Sequence, residues 1–211
     1  MLIISLSGGS GSGKTTLARH IMSRFPEGAV TLLPMDAYYK DHAYLDDEEK
    51  MKHNFDHPDA MDFELLIKHL CELRKGVQVK RPVYSFMTCS RQLNTFPVCP
   101  SEIILLEGFM ALIDKNVRDI ADMKIYIDAT ENNRLERIVK RDKEERGRTR
   151  QMVEERFYKM VQPMHQKFIE PFMHFADMII DGNSTYIQGM ADLVEQVICQ
   201  RLQHNYFLSH N

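Results

Sequence analysis

Eight consecutive residues near the start of the chain, Gly8-Gly9-Ser10-Gly11-Ser12-Gly13-Lys14-Thr15, have the types and spacing that bind phosphate. The pattern is G-x-x-x-x-G-K-[ST], a P-loop. Glycines let consecutive backbone N–H groups approach phosphate oxygens, where an inward Cβ would block them. Lys14 is set to reach the β- and γ-phosphates, and the Thr15 hydroxyl to hold Mg²⁺. The motif has this meaning only between a strand and a helix. Leu2 to Leu6 reads as a buried strand, and Lys14 to Arg24 as a helix that stops near Pro26 and Gly28. The helix N-terminus adds unpaired N–H groups and a partial positive charge.

Four further apolar runs read as strands: Ala29 to Leu33, Glu102 to Gly108, Lys124 to Asp128 and Met178 to Ile180. In open α/β sheets, ligands bind beyond the carboxyl ends of the strands. Asp36 follows the second run and so belongs at the P-loop edge, where a carboxylate can accept or orient the proton of an attacking hydroxyl. A turn-forming or helix-capping role fits the position equally well. Glu107 ends the third run and is Walker-B-like, delivering a carboxylate to Mg²⁺ directly or through water.

Between these runs lie segments that can meet a second ligand. Asp41 to Lys52 is polar, a mobile helix or loop. In Asn54-Phe55-Asp56-His57-Pro58-Asp59-Ala60-Met61-Asp62, Asp59 is placed to cap the following helix, which Gly76 ends. His57 reads as a hydrogen-bonded structural histidine, while Asp56 stays free to bind. Residues 77–99 alternate in character around a break at 87–91 and read as an inserted β-hairpin. Tyr84 and Phe86 share one of its faces, able to stack a planar base or to pack on the core. A helix capped by Thr130 then carries Arg134, Arg137 and Arg141 on one face, with a break at Arg146-Gly147-Arg148. It is either a solvated, ion-paired helix or a lid over about 134–156 that closes on phosphates. Residues 151–175 read as a long helix divided by Pro163 and Pro171. An amphipathic helix from Ile187 closes the chain, with a frayed tail from Asn205.

Length agrees with one domain spanning 1–211. The chain is 44% hydrophobic and 27% charged, enough for a substantial core. A net charge of −3 argues against nucleic-acid or acidic-membrane partners. Cys71, Cys89, Cys99 and Cys199 show no C-x-x-C or metal spacing, which points to a reducing compartment. With no signal-like segment and no apolar run of ~18 residues, a cytoplasmic protein without a membrane span is expected.

Along nearly its whole length the sequence resembles the uridine kinase (uridine–cytidine kinase) family. The match runs through Gly8 to Thr16, Asp36 to Asp41, Asn54 to Asp62, Tyr84 to Arg91, Glu107-Gly108 and Arg141-Asp142 to Arg148. The Asn-Phe-Asp-His-Pro-Asp-Ala and Glu-Arg-Gly-Arg segments are far more specific than the P-loop. The resemblance implies a P-loop NTPase-type three-layer α/β fold: a five-stranded parallel sheet, a hairpin insert and an Arg-rich helical lid. It implies transfer of the γ-phosphoryl of ATP, or of GTP, to the 5′-hydroxyl of uridine or cytidine. On that basis Asp36 would be the base, with Lys14, Arg141 and Arg146 assisting catalysis. Gly8, Gly9, Ser10, Gly11, Ser12, Gly13, Lys14, Thr15, Thr16, Arg146 and Arg148 would bind the donor. Asp56 and Arg141 would hold the ribose hydroxyls, and Tyr39, Phe55, Tyr84, Phe86 and Cys89 would line the nucleoside pocket. Thr15 and Glu107 would serve Mg²⁺, and homotetramers are usual.

Three positions depart from the family. Cys89 stands where a histidine commonly reads the pyrimidine edge, and a thiol hydrogen-bonds weakly. Arg156 replaces a glutamine, and a cation there would repel a protonated base or recruit an anionic substituent. Asp181-Gly182-Asn183 is shorter than the usual segment near the donor base. Three rival readings follow from the sequence. One is a kinase of another small hydroxyl substrate, phosphoribulokinase-like or pantothenate kinase-like, kept open by Cys89. The second is a nucleotide-dependent switch, opposed by the lack of N-K-x-D and D-x-x-G motifs. The third is an RNA binder using the arginine-rich stretch, opposed by the net charge.

Overall fold

The computed structural model describes residues 1–184 and 187–209. In chain order its elements are β1 (Leu2–Ser7), α1 (Lys14–Met22), β2 (Val30–Pro34), α2 (Asp47–Lys52), α3 (Phe63–Arg74), β3 (Val79–Ser85) and β4 (Ser90–Val98). There follow β5 (Ile103–Glu107), α4 (Lys115–Ile120), β6 (Met123–Asp128), α5 (Glu131–Arg146), α6 (Arg150–Arg156), an irregular helical run over 157–175, β7 (Met178–Asp181) and α7 (Ile187–Ser209). β1, β2, β5, β6 and β7 are the five expected strands, paired in parallel in the order β2-β5-β1-β6-β7. β3 and β4 form the expected antiparallel hairpin.

The strands are apolar at nearly every position because both faces are covered. Successive side chains point to opposite faces. Ile4, Leu6, Leu105 and Ile125 therefore pack on α1 and α7 through Leu17, Ile21, Val194 and Ile198. Ile3, Ile104, Leu106 and Tyr126 face the other way, onto Leu66, Leu70, Val117 and onto Met35 and Tyr38 of a 3₁₀ turn, Met35–Tyr38. The result is three layers with β1 at the centre. Among the described residues, no helix is long and apolar enough to cross a membrane.

Several local expectations need correction. α1 ends at Met22, not Arg24, and Ser23 closes it through Arg19 and Ile21 carbonyls. Asp62, not Asp59, caps α3, accepting from the Leu65 N–H at 3.0 Å. Asp59 instead lies inside a 3₁₀ turn, Pro58–Ala60, whose own cap is His57. The residue before proline is kept out of the helical region, so His57 begins that turn and the helix starts later. Residues 157–175 are broken up around Pro163 and Pro171 as expected, though by widened turns and not by a simple kink. Two π-helical stretches, Phe157–Val161 and His165–Ile169, flank Pro163, and a 3₁₀ stretch, Glu170–Phe175, contains Pro171. Proline lacks the N–H and crowds the carbonyl four residues back, and a widened turn relieves both. α7 continues through Ser209, past the point where the apolar pattern ends.

Asp62 also receives Arg91 Nη2 from β4 at 2.8 Å, so one carboxylate starts α3 and anchors the hairpin. Asp62→Ala is expected to lower unfolding free energy by about 1–2 kcal/mol, measured by chemical denaturation, with Asp62→Asn losing less because the cap survives.

Candidate active site

Sheet register brings the first set of chemical groups together. Glu107 on β5 pairs with Leu6 on β1 and with Pro34 on β2. The P-loop begins two residues beyond Leu6, and Asp36 lies two residues beyond Pro34. Gly8, Asp36 and Glu107 thus emerge at one edge, as strand order and length require. Lys14, buried at the start of α1, donates to the Gly9 carbonyl at 3.0 Å. Burial lowers its pKa, opposed by the charges of Glu107 and Asp36. Asp36 keeps part of its surface open. Burial and then Glu107 push its carboxyl up to about 6, while Lys14, Arg141 and Arg146 pull the other way.

The loop is shaped by backbone rather than by side chains. Gly8, Gly11 and Gly13 have positive φ, a region costly to other residues. Ser12 is fully covered and its hydroxyl has no partner among the described residues. An orphaned hydroxyl within this glycine loop suits a phosphate-bearing ligand. Thr15 is exposed and Glu107 half-buried. No cluster of three or more acidic, His or Cys ligands exists among the described residues. Mg²⁺ bound by one or two protein oxygens and by substrate phosphates asks for no more than this.

The second set comes from three separate segments. Main-chain bonds from Lys40 N to Ala60 O and from Asp62 N to Tyr38 O, each 2.8 Å, lay residues 58–62 along 38–40. Arg91 locks the hairpin onto the same place, donating Nε to the Tyr39 carbonyl at 2.8 Å. Tyr39 becomes the hub of an aromatic cluster, with ring centroids 6.3 Å from Phe55, 5.1 Å from Tyr84 and 6.0 Å from Phe86. Its phenol is held protonated by burial and by the charges of Asp36 and Asp56. Cys89 sits at the hairpin tip with φ +51°, its thiol 3.7 Å from the Phe86 carbonyl. A narrow recess touching Ser10, Asp56, Phe109 and His165 joins this region to the P-loop. His57 is structural, as expected: it accepts from Asp59 N and meets Phe168 edge-on.

The arginine-rich segment divides into three. Arg134 is 1% exposed, its guanidinium bonded to Gln162 and placed over the Phe157 ring. A Cβ on Gly9 would lie 2.6 Å from its Nη1. Arg134 is thus a strut behind the P-loop, and burial, not charge display, explains its place on the inner face of α5. Arg137 donates to the Gly11, Ser12 and Gly182 carbonyls at 3.2, 3.1 and 2.7 Å. It fastens the P-loop tip to the Asp181-Gly182-Asn183 turn. Further on, Asp142, its side chain 3% exposed, gathers Arg141, Arg146 and Arg148 at 2.9, 3.4 and 2.8 Å. Arg146 also lies 5.2 Å above the Phe86 ring, joining α5 to the hairpin. Gly147, with φ +62°, makes the turn to α6 that the sequence break calls for.

Residues 3–187 match the phosphoribulokinase / uridine kinase family. The chain is 43% identical over 179 residues to the uridine kinase of Clostridium tetani, covering 85% of this chain and 86% of that one. It is 38% identical over 208 residues to the uridine kinase of Bacillus velezensis, covering 98% of each. The chain belongs to the phosphoribulokinase / uridine kinase family. Among solved structures, a possible uridine kinase from Bacillus stearothermophilus superposes with TM-score 0.51 at 22% identity, covering 85% of this chain and 88% of that one. Phosphoribulokinase from Rhodobacter spheroides gives 0.62 at 18% identity, covering 87% and 72%; both show the fold. A member of this family is a phosphotransferase with a nucleotide phosphate donor and a small-molecule alcohol acceptor.

In this family member Arg91, Arg134 and Arg137 support the site through contacts that the sequence pattern does not specify. Asp142 has a testable energetic role. Burial would raise its pKa, but Arg141, Arg146 and Arg148 outweigh that and hold it below the usual carboxylate value. A depressed pKa stabilises the fold fully above about pH 4 and loses that contribution as pH falls through the folded value. Asp142→Asn is expected to cost about 1–3 kcal/mol at pH 7, measured by denaturation, and to flatten the acid limb of stability against pH.

Proposed function

We propose that this chain is a nucleoside kinase of pyrimidine salvage, transferring the γ-phosphoryl of ATP to the 5′-hydroxyl of uridine or cytidine. The observation that carries the proposal is Asp36, placed between the Lys14–Glu107 end of the P-loop and an aromatic slot bordered by Asp56.

In this scheme Asp36 takes the 5′-hydroxyl proton as the new O–P bond forms and the bond to the β-phosphate oxygen breaks. A carboxylate near pKa 6 is ionised at neutral pH yet more basic than an ordinary aspartate. Gly8 to Thr16 bind the donor, with Lys14 at the β/γ-phosphates. Arg141, Arg146 and Arg148, toward the far end of the segment 134–156 read as a lid, neutralise charge on the transferred group and exclude water. Asp56 and Arg141 hold the ribose hydroxyls, and Tyr39, Phe55, Tyr84, Phe86 and Cys89 surround the base. Thr15 and Glu107 would hold Mg²⁺, which supplies further charge neutralisation when bound. Catalysis is then mostly positioning and electrostatics. A cytoplasmic homotetramer belongs to the same proposal. Four free cysteines support the compartment, and Met87, Leu93 and Phe96, exposed on the hairpin, support self-association.

ADP release with uridine or cytidine as acceptor tests the reaction, and silence with both refutes it. Asp36→Asn is expected to lower kcat at least ~100-fold while ATP still binds, measured by calorimetry alongside turnover. In the wild type, kcat/KM should fall about tenfold per pH unit below pH 6, and a profile flat to pH 5 excludes Asp36 as the base.

A further inference from the structure

Two cations meet on one glycine of the P-loop. The Lys14 ammonium donates to the Gly9 carbonyl at 3.0 Å. The space that a Cβ on Gly9 would take is closed by Arg134 Nη1 at 2.6 Å and His165 Nδ1 at 2.9 Å. A Cβ on Gly11 would in turn meet the Arg134 main chain. Two glycines of the loop therefore pack directly on this one residue. Arg134 is 1% exposed, so it stands on the covered side of the loop, while a phosphate must enter from the open side.

No group beside Arg134 neutralises it. Among the described residues its guanidinium bonds to the uncharged Gln162 side chain, and its Nε and Nη1 have no partner. The Nδ1 of His165 is likewise unpartnered. Burial, then the charges of Arg134 and Lys14, push the His165 pKa down to about 3, so the imidazole is neutral. Glu131, Glu170 and Asp128 act on the guanidinium from beyond ion-pair distance. Asp56, which borders the recess beside Gly9 and His165, is already paired with Arg156. That recess measures about 10 Å³, room for about one water, so solvent screens little here. A cation taken out of water is costly unless an anion sits beside it. Here the nearby anion has to come from the ligand.

We propose that Arg134 is a second donor-anchoring cation, whose locally unpaired charge acts on the nucleotide polyphosphate through the backbone of Gly9 to Gly11 without touching it. Its attraction grows with the number of phosphate charges in front of the loop, and a poorly screened interior strengthens it. Arg134 is a positioning residue in this scheme, and its charge matters more than its hydrogen bond to Gln162. The proposal rests on the P-loop being the donor site and adds a residue to it that no phosphate contacts.

The test is the calorimetric Kd for ATP and for ADP in the wild type, Arg134→Lys and Arg134→Met, with thermal unfolding as a check on folding. Arg134→Met removes the charge and keeps an apolar stem. It should weaken ATP at least about tenfold, the scale of a unit charge acting across a peptide at an effective dielectric of about 20. ADP, with less charge, should weaken by no more than about a third of that factor. Arg134→Lys loses the planar fork but keeps the charge, and should bind ATP within about threefold of the wild type. A plain strut predicts the reverse: both nucleotides weakened alike, and lysine no better than methionine. Either of those results, or wild-type ATP affinity in a folded Arg134→Met, overturns the proposal. Should Arg134→Met fail to fold, Arg134→Lys decides: kept ATP affinity supports the proposal and a tenfold loss overturns it. A wild type that binds no ATP overturns the donor-site assignment, and this proposal with it.

Discussion

Parallel pairing of β1 with β5, and of β5 with β2, is the constraint on which the site depends. The side-by-side register of Leu6, Glu107 and Pro34 decides where three chain segments leave the sheet. A parallel sheet covered on both faces has little freedom to slip, because a one-residue shift would turn every strand side chain toward the wrong layer. Ile3 and Ile4, packed on opposite layers, show how tightly this is specified. Core packing therefore sets the distance between a phosphate loop and two carboxylates. No residue in that trio has to be placed by a flexible loop of its own.

A second principle governs the acceptor side. The segments 38–41, 54–62 and 84–91 share apolar contact through Tyr38, Tyr39, Phe55, Met61 and Tyr84, and are oriented by backbone bonds and by Arg91, which spans Tyr39, Asp41 and Asp62. Polar crosslinks of this kind are directional and can be remade, unlike the apolar contacts beneath the sheet. This region is thus held by apolar packing continuous with the core and oriented by hydrogen bonds.

This difference explains what could be read from the sequence. The P-loop, the five strands and the strand-end acids were legible because each is written in a short local pattern. The hairpin was legible from alternation. The anchoring roles of Arg91 and Arg137 were not, because their partners include backbone carbonyls far along the chain: Tyr39 lies 52 positions from Arg91, and Gly11 lies 126 from Arg137. No side-chain pattern records such a partner. Arg134 was legible as a member of an arginine face, but the pattern could not separate a displayed cation from a buried strut. The π-helical turns were also hidden, since Pro163 announces a disturbance without saying whether the chain breaks or widens.

Asp142 has a consequence that concerns supply rather than structure. One carboxylate with three cationic partners is oversubscribed. Any one arginine can be lent to an incoming anion while two remain to satisfy the acid left behind. A one-to-one pair has no such reserve, because withdrawing its cation strands a buried charge. The cluster is a small store of positive charge, in which no single arginine is needed to keep the acid paired.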